Sequence, residues 1–292
     1  PQARKGLGST PLFPLSILPS NLLGMGLALL VSLLAGLATS IGGLVVLNKK
    51  TMERPHLAIA LAFAAGAMLV ISFVEIVPLG LENLSATMSP QKAELWFWVS
   101  FFAGIAVVLT IDRLLPDVLN PGETTGKEVT AASLGSSDAK ALMRSGAVVG
   151  VVLALHNFPE GMATFFTTYQ DTAVGITLAV AIAIHNIPEG IAVAAPVYAA
   201  TGSRRRGFWW ATFSGLTEPV GAVFAALLLQ WVIPPQFFGI FYGAVAGMMV
   251  FLALDELLPG AWRYQTDKHQ TIYGMLGGMA IMAASFILFA AA

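Results

Sequence analysis

A six-residue phrase occurs twice in the sequence and holds the side chains best suited to chemistry. It reads HNFPEG at 156–161 and HNIPEG at 185–190. In a helix, the histidine and the glutamate of each copy are four residues apart and share a face, with the asparagine beside them. The proline lacks a backbone N–H and so frees the carbonyl four residues earlier. The candidate metal ligands in the two copies are His156, Asn157, Glu160, His185, Asn186 and Glu189.

Both copies lie within long apolar stretches, where a charged side chain is costly. An ionised carboxylate at the centre of a bilayer costs at least about 2.5–3 kcal/mol and is normally paired or functional. Neither Glu160 nor Glu189, nor Glu218 further along the chain, has a lysine or arginine at a matching depth. A divalent cation is the natural counter-charge, and the number of ligands fits one or two ions. The alternative is a pair of helices packed through His–Glu hydrogen bonds without a metal.

The ligand types narrow the choice of metal. The chain has no cysteine, which excludes thiolate sites and disulfides. Imidazole with carboxylate suits zinc, iron, cobalt, manganese or cadmium, whereas magnesium and calcium prefer sites made only of oxygen. We therefore expect divalent transition metals as the ligand, and no organic cofactor.

The composition indicates the surroundings of this site. Of 292 residues, 57% are hydrophobic and 11% are charged, whereas soluble domains carry about 25% charged residues. Runs of about 20 apolar residues can cross a bilayer as helices. We predict an all-α membrane protein with eight transmembrane helices near 21–47, 56–79, 94–115, 145–169, 172–199, 207–232, 236–260 and 270–291.

The basic residues predict the orientation of these helices. Of the 15 lysines and arginines, only Arg4, Lys5 and Lys92 fall in the tails or in the even-numbered connections. Because cytoplasmic loops attract basic residues, the odd-numbered connections are predicted to be cytoplasmic and both termini extracytoplasmic. We expect an extracytoplasmic N-terminal tail at 1–20 and one transmembrane domain at 21–292. Its long connection at 116–143, rich in Gly, Ser and Thr, is expected to be a flexible cytoplasmic loop.

Two further repeats accompany the doubled phrase. Residues 65–78 resemble 246–259, and residues 36–43 resemble 215–222 more weakly, with Thr39 opposite Glu218. The first span therefore matches the sixth, the second the seventh and the fourth the fifth. The predicted orientation turns each pair in opposite directions, which is the inverted repeat typical of secondary transporters.

Other polar residues of the repeats suggest a route to the central cluster. Met68 and Glu75 share one face of the second span, with Glu75 towards its outer end. Asp255 and Glu256 lie towards the cytoplasmic end of the seventh span, and Asp112 ends the third span on that side. We expect Glu75 to line a pore, whereas Met68 is equally consistent with ordinary core packing and with a thioether ligand. Asp112 is equally consistent with an interfacial ion pair.

The doubled phrase, together with SGLTEPVGA at 214–222 and DELLP at 255–259, resembles the ZIP (Zrt/Irt-like protein) metal transporters. The resemblance is strongest to their bacterial zinc-uptake branch of broad metal range. It implies eight helices in a 3+2+3 inverted arrangement and import of metal into the cytosol. It also implies a central metal site with Met68 beside it and an adjacent second metal position. The central ligands would be His156, Glu160, His185 and Glu189; those of the second position would be Asn157, Asn186, Glu160, Glu189 and Glu218.

These observations lead to a functional hypothesis. We expect a non-enzymatic transporter in a bacterial inner membrane that carries zinc, with tolerance for iron, cadmium, cobalt or manganese. Its partners would be divalent metal ions and membrane lipid, with no nucleic acid; the sequence leaves open whether it forms a homodimer. The alternative is an intramembrane metal-dependent hydrolase, although the HExxH metalloprotease pattern is absent from the sequence.

Overall fold

The computed structural model describes residues 22–45, 53–114, 154, 156–229, 234 and 236–290. These residues are helical apart from short turns, and no strand occurs among them. The expected tail at 1–20, the loop at 116–143 and the side chain of Asp112 lie outside this description.

Eight helical segments are described, and two of them contain a stretch of wider π-helix. The π-helical stretches are Ile71–Ile76 in the second segment and Ala253–Leu257 in the seventh. In chain order the segments are α1 Leu22–Val45, α2 Arg54–Ser85, α3 Pro90–Leu114, α4 156–170, α5 Thr172–Thr201, α6 Arg204–Leu228, α7 Gln236–Tyr264 and α8 Gln270–Ala290.

Seven of these segments are long and apolar enough to cross a membrane; only α4, described from residue 156 onward, is too short for that test. The prediction of an all-α integral membrane protein is confirmed. The structure differs from the expected boundaries by up to six residues. α2 and α7 extend past the ends of their apolar runs, α3 begins four residues early, and α6 begins three residues early and ends four residues early.

A one-residue connection brings the two copies of the phrase to the same level. Asp171 separates α4 from α5, and its carboxylate accepts hydrogen bonds from the backbone N–H groups of Ala173 and Val174, at 2.9 and 3.1 Å. This is an N-cap that starts α5 directly after α4. His156 lies 15 residues before Asp171 and His185 lies 14 residues after it. The two histidines are therefore at nearly equal distances, about 21–23 Å, from the turn.

The prolines of the phrases do not end their helices. α5 runs through Pro188 without interruption, and α4 runs through Pro159. Interruptions occur instead at Leu216 of α6, between Arg204–Gly215 and Thr217–Leu228, and in α2 and α7, where each π-helical stretch ends just before Pro78 or Pro259. π-helical insertions widen the helix locally and are frequent at functional sites. Glu75 lies in the first of these stretches, and Asp255 and Glu256 lie in the second.

The helices approach each other closely at glycines, and these approaches come in matched pairs. Gly42 of α1 lies against the carbonyl of Ile187 in α5, whereas Gly221 of α6 lies against the carbonyl of Phe158 in α4. The two contacts are equivalent, because the sequence repeats match residue 42 with 221 and residue 187 with 158. Small residues of this kind allow close backbone contacts. Such contacts hold helices together in lipid, where the hydrophobic effect does not drive helix association.

The same matching extends to α3 and α8, whose sequences gave no sign of a repeat. Gly66 of α2 lies against the backbone of Met275 in α8, and Gly247 of α7 lies against the backbone of Phe101 in α3. The α2–α8 and α3–α7 contacts are among the most extensive in the molecule. The two contacts therefore occupy equivalent positions in the two halves of the chain.

Candidate metal site

The polar side chains of the two phrases meet in the interior. The six candidate ligands of the phrases and Glu218 are each at most 4% exposed. Ionisable residues are almost never buried to this extent unless they are paired or bind a metal. The structure therefore brings seven of the predicted residues into the core: His156, Asn157, Glu160, His185, Asn186, Glu189 and Glu218.

Each histidine faces the glutamate of the opposite phrase. The Nε2 atom of His156 lies 3.4 Å from Oε2 of Glu189, and Nε2 of His185 lies 3.6 Å from Oε2 of Glu160. Two ligands of one tetrahedral zinc ion are about 3.3–3.5 Å apart, since each lies about 2.0–2.1 Å from the metal. Ligand atoms of His156, Glu160 and Glu189 all lie within 4.8 Å of one another. The spacing suits a metal shared between the two phrases.

Each asparagine holds a glutamate in place. Asn157 donates through Nδ2 to Oε1 of Glu189 at 2.9 Å, and Asn186 donates through Nδ2 to Oε1 of Glu218 at 2.5 Å. The same two amide groups reach backbone carbonyls, that of Ser214 at 3.4 Å and that of Ala35 at 3.0 Å. Each asparagine thus links three helices, and its side-chain N–H groups donate to other protein groups.

Several carboxylate and amide oxygens of the cluster are among the buried polar atoms that lack a hydrogen bond in the described part of the chain. Glu160 Oε1, Glu218 Oε2 and the Oδ1 atoms of both asparagines are buried and receive no hydrogen bond from the described part of the chain. Buried polar atoms nearly always have a partner, and a missing one calls for an explanation. Because these oxygens can only accept or coordinate, the group that satisfies them is a cation or a proton donor. A metal ion meets this need for several oxygens at once.

The glycine that ends each phrase fits α4 and α5 tightly against their neighbours. Gly161 lies against the backbone carbonyl of Glu218, and Gly190 lies against that of Thr39. A methyl group at either position would overlap the carbonyl, so both positions require glycine for close approach. These contacts fix the distance between the phrases and the helices that carry Glu218 and Thr39.

Comparison with known proteins agrees with this geometry. A family model described as ZIP Zinc transporter matches residues 122–285, more than half of the chain. The zinc transporter ZupT of Corynebacterium aurimucosum is 46% identical over 258 residues, which cover 88% of this chain and 95% of that protein. The chain belongs to the ZIP family. Zinc transporter ZupT of Corynebacterium glutamicum is 47% identical (89% and 97% covered), and that of Clostridium perfringens 41% (92% and 98%).

Membership of the ZIP family confirms the resemblance inferred from the doubled phrase. The matched range contains both copies of the phrase, as well as Glu218 and the acidic pair of α7. Because the family model and these relatives are named as transporters, they favour transport over the intramembrane hydrolase.

The predicted flanking residues of this ZIP protein differ from the central cluster in burial. Met68 is buried within the main hydrophobic core, as ordinary packing requires. Glu75 and Glu256 are half-buried, and Asp255 is exposed. Their part in a metal route stays a prediction.

Two residues of the site were missed by the sequence reasoning. The backbone carbonyls of Ala35 and Ser214 anchor the asparagines, and these residues immediately precede the two copies of the weak repeat that pairs Thr39 with Glu218. That repeat was the available signal. It did not identify these residues because only their backbone atoms take part.

Proposed function

We propose that this ZIP protein carries divalent transition metals, chiefly zinc, across the membrane into the cytoplasm. The observation that supports the proposal most is the crossed pairing of the two phrases, with each histidine 3.4–3.6 Å from the glutamate of the other copy. Neither copy alone offers this arrangement. The metal is therefore a substrate that α4 and α5 bind jointly, through His156, Glu160, His185 and Glu189.

A second ion would lie on the side of the cluster where Glu218 stands. Oε2 of Glu218 and Oδ1 of Asn186 carry no hydrogen bond from the described residues, and both residues belong to the oxygen-rich side of the site. Carboxylate oxygens bind zinc and also suit manganese, which supports a metal range wider than zinc alone. Glu160 and Glu189 would bridge the two ions.

The proposed architecture is an inverted repeat of three, two and three helices in a bacterial inner membrane, with both termini outside. It is supported by the matched glycine contacts, which relate α1 to α6, α2 to α7, α3 to α8 and α4 to α5. The distribution of basic residues supports the orientation. Transport would then proceed as one group of helices rocks against the other around the central site. Glu75 would lie on the outer route, and Asp112, Asp255 and Glu256 on the inner route.

Metal uptake into proteoliposomes tests the proposal. Purified full-length protein should bring zinc and cadmium into vesicles loaded with a fluorescent chelator, faster than protein-free vesicles do. Vesicles containing a Glu160→Ala and Glu189→Ala double variant are the matched control for leakage at the protein–lipid boundary. Uptake by the wild-type protein that does not exceed either control would refute the transport proposal.

A further inference from the structure

A pocket at the start of α6 lies apart from the metal site. It encloses about 410 Å³ and is lined by Ser203, Arg205, Arg206, Trp209, Trp210 and Phe213. Ser203 is the N-cap of α6, and the other lining residues lie on one face of its first turns. The pocket therefore has a charged end at the first turn of the helix and an aromatic end further along.

The two ends differ in the chemistry they offer. Arg205 and Arg206 are exposed, and among the residues that the structure describes no acidic one lines the pocket. Guanidinium groups bind phosphate oxygens in a planar, bidentate fashion. Trp209 and Phe213 are 43% and 60% exposed and stack on each other at 5.8 Å, which presents a continuous apolar surface. The pocket thus fits a molecule with an anionic head and an apolar tail.

The position of the pocket in the membrane fits the same molecule. α6 is one of the segments able to span the bilayer, and it begins at Arg204. Arg205 therefore lies at the membrane–water boundary, and Phe213, eight residues on, lies about 12 Å deeper along the helix. Tryptophans are enriched at this boundary, where the headgroups meet the acyl chains.

The opposite half of the molecule shows that the fold does not require these residues. The repeat that relates α1 to α6 places Gly26, Leu27, Leu30, Val31 and Leu34 opposite 205, 206, 209, 210 and 213. Leu27, Leu30 and Leu34 are likewise exposed at the surface of the helix bundle. The fold therefore accepts small and aliphatic residues at these positions, although the matching end of α1 is predicted to be extracytoplasmic, where basic residues are not expected.

We propose that this pocket binds an anionic phospholipid, with the phosphate between Arg205 and Arg206 and the upper acyl chain against Trp209 and Phe213. Basic pockets beside membrane-spanning helices recognise anionic headgroups, and each basic residue contributes a substantial share of the affinity. The proposal requires only that the protein is embedded in a membrane and does not depend on metal transport.

Quenching of tryptophan fluorescence by brominated lipid tests the proposal. The delipidated full-length protein in neutral detergent is titrated with phosphatidylglycerol or phosphatidylcholine, each carrying the same brominated acyl chains. We expect phosphatidylglycerol to quench at a concentration about 10- to 30-fold lower than phosphatidylcholine, which is the contribution of two basic residues. The Arg205→Gln and Arg206→Gln double variant should lose this preference. A Trp209→Phe and Trp210→Phe variant should lose the fluorescence quenching that reports the preference for phosphatidylglycerol.

The matched control removes the same charge elsewhere on the side predicted to be cytoplasmic. Arg113 and Lys268 are also exposed, and the Arg113→Gln and Lys268→Gln variant should keep the preference for phosphatidylglycerol. Equal quenching by the two lipids in the wild-type protein would overturn the proposal. So would an equal loss in the control variant, because it would show general charge attraction, or an unchanged preference in the Arg205→Gln and Arg206→Gln variant.

Discussion

The two sides of the central site are built from matching helices but differ in the polar residue at one matched position. On one side Asn157 holds Glu189, and the neighbouring helix α1 contributes Thr39; on the other side Asn186 holds Glu218 of α6. Thr39 and Glu218 occupy equivalent positions, and each has its carbonyl packed against the last glycine of a phrase. The repeated scaffold therefore supplies a symmetric central site, and a single substitution adds a carboxylate to one side only.

The difference indicates that the matched residues and Glu218 have different roles in the site. The histidines and glutamates of both copies, together with Asn157, form the contacts between copies, whereas Glu218 enlarges the cluster in one direction. We expect variants of the glutamates that pair across the two phrases to remove transport altogether, and variants of the unmatched residue to alter metal content and selectivity.

The largest effect is expected from Glu160 and Glu189. Glu160→Ala or Glu189→Ala should each reduce zinc uptake to the level of protein-free vesicles, because each carboxylate pairs with the histidine of the other phrase. Initial uptake rates into proteoliposomes measure the effect. Glu82→Ala, at an exposed position of α2, is the matched control and should transport normally. Uptake near the wild-type rate in either central variant, at equal protein content, would contradict the site assignment.

A smaller and unequal effect is expected from the two asparagines. Asn157→Leu should lower zinc uptake about 10- to 100-fold, the usual result of removing a residue that orients a metal ligand, because it releases Glu189. Asn186→Leu releases Glu218, which the central ion does not need, so its effect should be several times smaller. Uptake rates measured side by side give the ratio. Equal losses would mean that the two sides are not functionally distinct.

The unmatched residue itself is expected to change metal content. Glu218→Thr makes the two sides alike and should lower the bound metal by about one ion per protein, with uptake reduced by roughly tenfold or less. Elemental analysis of the purified protein after cadmium loading provides the count. Thr39→Val alters the equivalent position of the other side without adding or removing charge and should leave the count unchanged. An unaltered count in Glu218→Thr would remove the basis for a second ion at Glu218.

The smallest effect is expected from the acids of the π-helical stretches. Glu75→Gln and Glu256→Gln should each reduce uptake by no more than about threefold at saturating zinc, because both side chains are half-buried and lie outside the crossed His–Glu pairs. The reduction should grow when zinc is scarce or salt is low. If either variant were as inactive as Glu160→Ala, that acid would belong to the central site.

Much of this arrangement could be predicted from the sequence because its determinants are side chains. The apolar runs predict the helices, and the doubled phrase predicts that its two copies pair. The weak repeat matches Thr39 with Glu218. The π-helical stretches could not be predicted, since apolar periodicity does not separate one helical hydrogen-bond pattern from another. The equivalence of α3 and α8 was hidden because their matched contacts need only small or apolar residues, which many sequences provide.

Anomalous X-ray scattering from crystals grown with zinc tests the central claim most directly, since it locates the ion independently of transport. We predict a peak between α4 and α5 within about 2.0–2.2 Å of ligand atoms from both phrases, His156 or Glu160 together with His185 or Glu189. A peak bound by residues of only one phrase, or by residues of neither, would contradict the claim that the second copy completes the first.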